Sequence, residues 1–207
     1  MDKNRGAVVG SSLVAFLPGI TAQQRSAVQL AALGAEYATR MDYDAGLVTD
    51  WFSYYRRKLQ FYGWDAWTAD RELWPQPDRG RVVDAALRRI DATAGERYST
   101  VIGLAMGGLA ENDWALFNFE RRARERRVFQ LLPCAPSKPG YVDLVLYHEA
   151  CDVEQMTTGF LYRRRKATRI QAELVRFNTQ NFDGTHRGAV EQQLEKIARQ
   201  QILSLQI

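Results

Sequence analysis

The period of the apolar residues changes once along this chain, at Val128, and that change limits the fold more than any composition does. Before it, side chains fit for a core recur every three or four positions, the spacing of one helix face. Beyond it they alternate in twos, in short runs separated by proline and glycine. Such a chain is expected to segregate helices from sheet. That is the α+β class: a helical N-terminal half packed on a four-stranded antiparallel meander, with a closing C-terminal helix, in one domain over 1–207.

Thr21 with Gln24 three residues on is a capping box, and Val28, Leu30, Ala31, Ala35 and Ala38 continue a first helix. A second helix is predicted from Asp50 to about Tyr62, stopped by Gly63, with Trp51, Tyr54, Tyr55, Leu59 and Tyr62 on one broad face. Trp64 to Pro77 reads as an ordered loop carrying Trp67 and Trp74. Val82 to Ile90 forms a third helix. Tyr98 to Leu109 is nearly uncharged, and a helix apolar all round belongs in the middle of a domain. Asn112 or Asp113 can cap a further helix to about Arg126 with Trp114, Phe117 and Phe119 inward.

The segments FQLLPC, YVDLVLYHEAC, GFLYRRRKA and TRIQAELVRFN supply the four strands, and their alternation predicts a half-buried sheet. Asp183 to Thr185 is expected to cap the closing helix through about Gln201, and ILSLQI can add a short last strand.

Composition enters as a bound. At 207 residues one core buries about 70% of the unfolded surface, so no disulfide or metal staple is needed. A hydrophobic share of 46% with 25% charged residues excludes a disordered chain, a collagen and a multispan membrane protein. The apolar run Ala7–Ile20 follows Lys3 and Arg5 like a signal peptide, but Gly10, Ser11, Ser12 and Pro18 interrupt it. The expectation is a cytoplasmic or non-classically exported protein with no cleaved signal peptide and no membrane span. Oligomeric state is not legible.

Two kinds of group could carry chemistry. The first is basic: Arg121, Arg124 and Arg127 on one helical stripe, and Arg163, Arg164 and Arg165 on a strand. If adjacent, they form a patch for phosphate or anionic lipid heads. Few aromatics lie beside them, which argues against nucleic acid. The second is sulfur with imidazole. Cys134 closes one strand and could meet His148 across a hairpin as a thiolate–imidazole pair, whereas Cys151, three residues from His148, points to the opposite face. A small buried cysteine and a hydrogen-bonded strand histidine are the plainer alternatives. Two cysteines and two histidines fit no zinc spacing, so no metal is expected.

In element order and texture, VGSSLVAFLPGI followed by a helix, then WFSYYRRKLQFYGW, then the FQLLPC strand and meander, resembles the Evf-type virulence factors of insect- and plant-associated bacteria. The resemblance implies an α/β fold of unusual topology and a fatty acyl chain in thioester linkage to a cysteine. On this sequence the acyl-bearing residue would be Cys134, with Cys151 second, and the Tyr98–Leu109 helix would wall an apolar pocket. The implied function is an S-acylated protein that touches lipid, with a fatty acyl chain or anionic lipid as partner and no other cofactor. One alternative is a thiol acyltransferase or thioesterase using Cys134 and His148. Another is an arginine-patch protein that binds nucleic acid or smaller anions.

Overall fold

The computed structural model describes residues 5–66, 81–150, 159–162, 169–194 and 201–207. Seven strands among them form one mixed sheet: β1 (Arg5–Val9), β2 (Ser12–Phe16), β3 (Trp64–Ala66), β4 (Val128–Pro136), β5 (Tyr141–Ala150), β6 (Arg169–Asn178) and β7 (Ile202–Gln206). Their spatial order is β3-β6-β5-β4-β2-β1-β7. Only β2 and β4 run parallel; the other neighbours are antiparallel.

Helices cover both faces. α1 (Ala22–Asp44), α2 (Trp51–Phe61) and α7 (Arg187–Leu194) pack on the face bearing Val14, Phe16, Leu132, Cys134, Leu144 and Phe177. α3 (Val82–Ala94), α4 (Glu96–Ala110) and α5 (Asp113–Arg126) pack on the face bearing Leu13, Ala15, Phe129, Leu131, Val145 and Tyr147. The result is three layers, helix–sheet–helix, rather than helices on one side of a four-stranded meander.

The difference has a physical source at the N-terminus. Ala7 to Val9 and Leu13 to Phe16 are almost wholly buried, because β1 and β2 sit inside the sheet with helices on either side. A strand covered on both faces is apolar at every position and loses the alternation that marks a half-buried strand. This hairpin is the run that looks like a signal peptide. Gly10 makes its turn possible: its φ is +59°, and an added Cβ would lie 2.2 Å from the Glu36 carboxylate.

β4, β5 and β6 form an antiparallel meander of three strands, and β3 adds a short edge beyond β6. The expected third strand differs: Phe160–Tyr162 is a 3-10 turn, and 163–168 lie outside the described residues. The sheet is not half-buried either, since Gln171 and Glu173 on β6 are 2% and 1% exposed.

Local signals fare better. Thr21 and Gln24 form the capping box, Asn112 caps α5 by accepting from the Ala115 N–H at 3.0 Å, and Gly63, with φ +91°, follows α2. β7 is the short last strand expected from ILSLQI. Three details change. Asn178, not Asp183, caps the first closing turn, α6 (Thr179–Asn181), which passes through a π-helical stretch (Phe182–His186) into α7. Trp114 and Phe117 are 66% and 58% exposed, and only Phe119 points inward. α4 is not enclosed all round, since Leu104 and Gly107 face outward while Tyr98, Val101, Ile102 and Ala105 are buried. Of the loop expected over Trp64–Pro77, Trp64–Ala66 is instead the edge strand β3, and the remainder, with Trp67 and Trp74, lies outside the described residues.

Candidate functional site

One cleft of about 540 Å³ opens where the end of the sheet meets three helix ends. The last turns of α1 supply Arg40, Tyr43 and Asp44, and the first residue of α2 supplies Trp51. The end of α5 supplies Glu125 and Arg126, with Arg127 just beyond it. Val128 on β4 and His148 and Ala150 on β5 complete the wall.

The floor is built by strand register. Ser12, Gln130, His148 and Gln171 are direct neighbours across β2, β4, β5 and β6, all on the α1–α2 face. Ser12 Oγ donates to Gln130 Oε1 at 2.7 Å, and Gln130 Nε2 lies 3.4 Å from His148 Nδ1. His148 is 3% exposed, packed against Phe52 at 4.5 Å and stacked on Trp51 at 5.7 Å between ring centroids. Burial, helped by the Arg169 charge and partly opposed by Asp50, pulls its pKa down to about 3. It is therefore a neutral imidazole at neutral pH. Trp51 also stacks on Tyr55, whose hydroxyl burial and the Glu36 charge push well above the usual phenol range.

Beside this row sits a buried ion pair. Glu36 on α1 accepts from Ser11 N and Oγ at 2.9 and 3.1 Å, and its other oxygen lies 3.3 Å from Arg126 Nη1. The two side chains are 2% and 9% exposed. Nonetheless Arg126 Nε and Nη1 and Glu36 Oε1 form no hydrogen bond of good geometry. At the rim, Arg40 pairs with Asp44 at 3.2 Å and Glu125 approaches Arg121 at 4.0 Å. Arg127 is exposed and has no carboxylate within ion-pair distance among the described residues. It also holds φ +57°, the left-handed region, where it closes α5; no other non-glycine among the described residues does so.

The expected site residues are distributed differently. Cys134 is fully buried opposite Leu144, its Sγ 3.3 Å from the Leu132 carbonyl, and burial keeps it a protonated thiol. His148 lies four residues further along β5, about 13 Å at strand spacing, and faces Gln130 instead. The structure does not bring this cysteine and this histidine together. Cys151, Arg163, Arg164 and Arg165 lie outside the described residues. Arg121, Arg124 and Arg127 are exposed, but the helix ends at Arg126 and Arg127 leaves the expected stripe.

Glu36, Arg126, Ser12 and Gln130 were not singled out from the sequence. Their signal is polarity at an inward position. Glu36 follows Ala32 and Leu33 on the buried face of α1, and Gln130 alternates into the same row as Leu132 and Cys134. Among the described residues, no group of three or more His, Cys, Asp or Glu is placed to hold a metal. Nor is any helix there long and apolar enough to cross a membrane.

Fold and site together define a three-layer mixed α/β protein with a cleft at the sheet end, apolar in most of its lining and edged by charged side chains. No family model and no curated protein matches the sequence. Among solved structures it is similar to the structure of the Evf virulence factor, with 9% identity over 91% of this chain and 84% of that one. The TM-score is 0.41, a weak likeness of fold that says nothing about activity.

Proposed function

We propose that the cleft binds a small organic anion. The charged head would meet Arg126, Arg127 and the His148 imidazole, with an apolar body against Trp51, Val128 and Ala150. The observation that carries this reading is Arg126. Its side chain is nine-tenths buried beside the cleft, and apart from the 3.3 Å ion-pair contact of Nη1 with Glu36 its Nε and Nη1 make no hydrogen bond of good geometry. A buried donor left unmade costs about 1–3 kcal/mol, so a turn of this side chain that brings Nε or Nη1 to a ligand oxygen in the cleft would be favourable. Trp51 and the strand ends supply apolar wall, and a few placed polar groups in a mostly apolar cavity are the usual make-up of a small-molecule site.

The test is a titration of 15N-labelled protein with acetate, benzoate and phosphate. Amide shifts gathered at Trp51, Val128, His148 and Ala150 are expected, weakened in Arg127→Gln. No such cluster at about 10 mM anion, enough to fill a site of about 1 mM Kd, would overturn the reading.

The acyl-cysteine reading concerns a different place. Cys134 belongs to the apolar layer between the sheet and α1–α2, surroundings that favour a hydrocarbon chain over a charged one. Intact mass of protein from its native host, before and after neutral hydroxylamine, tests it. A loss matching a fatty acyl group and absent in Cys134→Ser supports the reading; no added mass removes it.

A further inference from the structure

We infer that Ser12 and Gln130 lock His148 in the tautomer that carries its proton on Nε2, so that the cleft presents a donor and selects an ionised carboxylate over the matching neutral amide. This selectivity rests on the reading of the cleft as an anion site; the tautomer lock does not.

The lock follows from who can donate to whom. The Ser11 hydroxyl is spent on Glu36, but the Ser12 hydroxyl faces Gln130 Oε1 at 2.7 Å. Tyr55 lies near Ser12 and stays protonated, and its buried hydroxyl makes no hydrogen bond of good geometry, so it does not draw the serine proton away from the amide oxygen. An amide held by its oxygen turns its NH2 toward His148, where Nε2 of Gln130 lies 3.4 Å from Nδ1. A ring nitrogen that accepts there carries no proton, and a neutral imidazole then has its proton on the other nitrogen. The hydrogen bond made by one ring nitrogen decides in this way which tautomer a histidine holds and which edge it presents.

Charge sets the class of ligand. Arg40 is matched by Asp44 and Arg126 by Glu36, and Glu125 is near Arg121, which leaves Arg127 as the uncompensated charge among the described lining residues. One net positive charge suits a monoanion better than a dianionic phosphate. A carboxylate offers two acceptor oxygens to guanidinium and imidazole N–H, whereas an amide turns an NH2 toward one of those donors.

Long-range 1H–15N correlation spectra at pH 7 read the tautomer directly, without ligand. The expected pattern is a protonated Nε2 and an acceptor Nδ1. In parallel, benzoate and benzamide are titrated into the wild type and Gln130→Leu. Benzoate is expected to bind about tenfold more tightly than benzamide in the wild type, and about threefold in the variant, the share of one hydrogen bond. If Gln130→Leu does not fold, Ser12→Ala removes the hydroxyl that orients the amide and takes its place. A proton on Nδ1 overturns the lock. An unchanged benzoate preference in the variant overturns the selectivity. Failure of both probes to bind, with Nε2 protonated, overturns the anion site and the selectivity with it, and leaves the lock standing.

Discussion

Replacing Arg127 by glycine should make the protein more stable and a poorer binder at once. Arg127 holds a left-handed backbone at the junction of α5 and β4. That conformation costs an L-residue about 1–2 kcal/mol, and glycine is the residue that ordinarily closes a helix there. Glycine gives back about 0.5–1 kcal/mol through its greater freedom in the unfolded chain. The side chain is exposed and makes no ion pair among the described residues, so little contact is lost. The net expectation is a gain of about 0.5–1 kcal/mol, or about 1–4 °C in Tm for a chain of this size. Binding of benzoate should weaken about threefold to tenfold, since an exposed charge contributes roughly 1 kcal/mol. Thermal unfolding and an amide-shift titration on the same sample measure both. Arg127→Lys keeps charge and strain, and should change neither much. A lower Tm in Arg127→Gly would show that the strain is offset by contacts the reasoning omits, and unweakened binding would remove Arg127 from the site.

Four further outcomes follow from the same geometry. Glu36→Gln leaves Arg126 buried without its counter-charge, and should cost about 3–5 kcal/mol by urea denaturation. Gly10→Ala places a Cβ 2.2 Å from the Glu36 carboxylate at φ +59°, and should destabilise by more than about 2 kcal/mol, with loss of soluble folded protein the severe form. His148 has a folded pKa of about 3, below its unfolded value near 6.5, so only the unfolded chain takes up the proton as pH falls between them. Its stabilisation is therefore complete above about pH 6.5 and lost on acidification, by about 2 kcal/mol at pH 5, and that part of the pH slope should vanish in His148→Gln. Cys134 should resist iodoacetamide in the native protein and react only on unfolding, read by peptide mass spectrometry at that residue; rapid native labelling would contradict its burial as a thiol.

How far the sequence carried this far depends on the range of each signal. The capping box at Thr21, the Asn112 cap, the stop at Gly63 and the strands β4, β5 and β6 were legible because each is decided within one turn or one strand. The N-terminal hairpin was not. Its two strands are apolar throughout because helices cover both faces, and a fully buried strand has no period to read. Trp114 and Phe117 misled for the opposite reason, being large apolar residues that stay exposed. For the site, His148 was singled out from residue type, but its partner was not. Cys134 and Gln130 lie on the same strand and the same face, and register alone gives His148 the glutamine.

By itself, then, the chain determined its local elements and the polar residues that burial would make costly. The tertiary structure decided their company. Ser12 and Gln130 are 118 positions apart, and Glu36 meets Ser11 across 25. Pairings of that range depend on which strand lies beside which, and on a two-residue alternation where one slip would turn every side chain to the other face. Residue spacing carries the alternation, while only the assembled sheet fixes the slip.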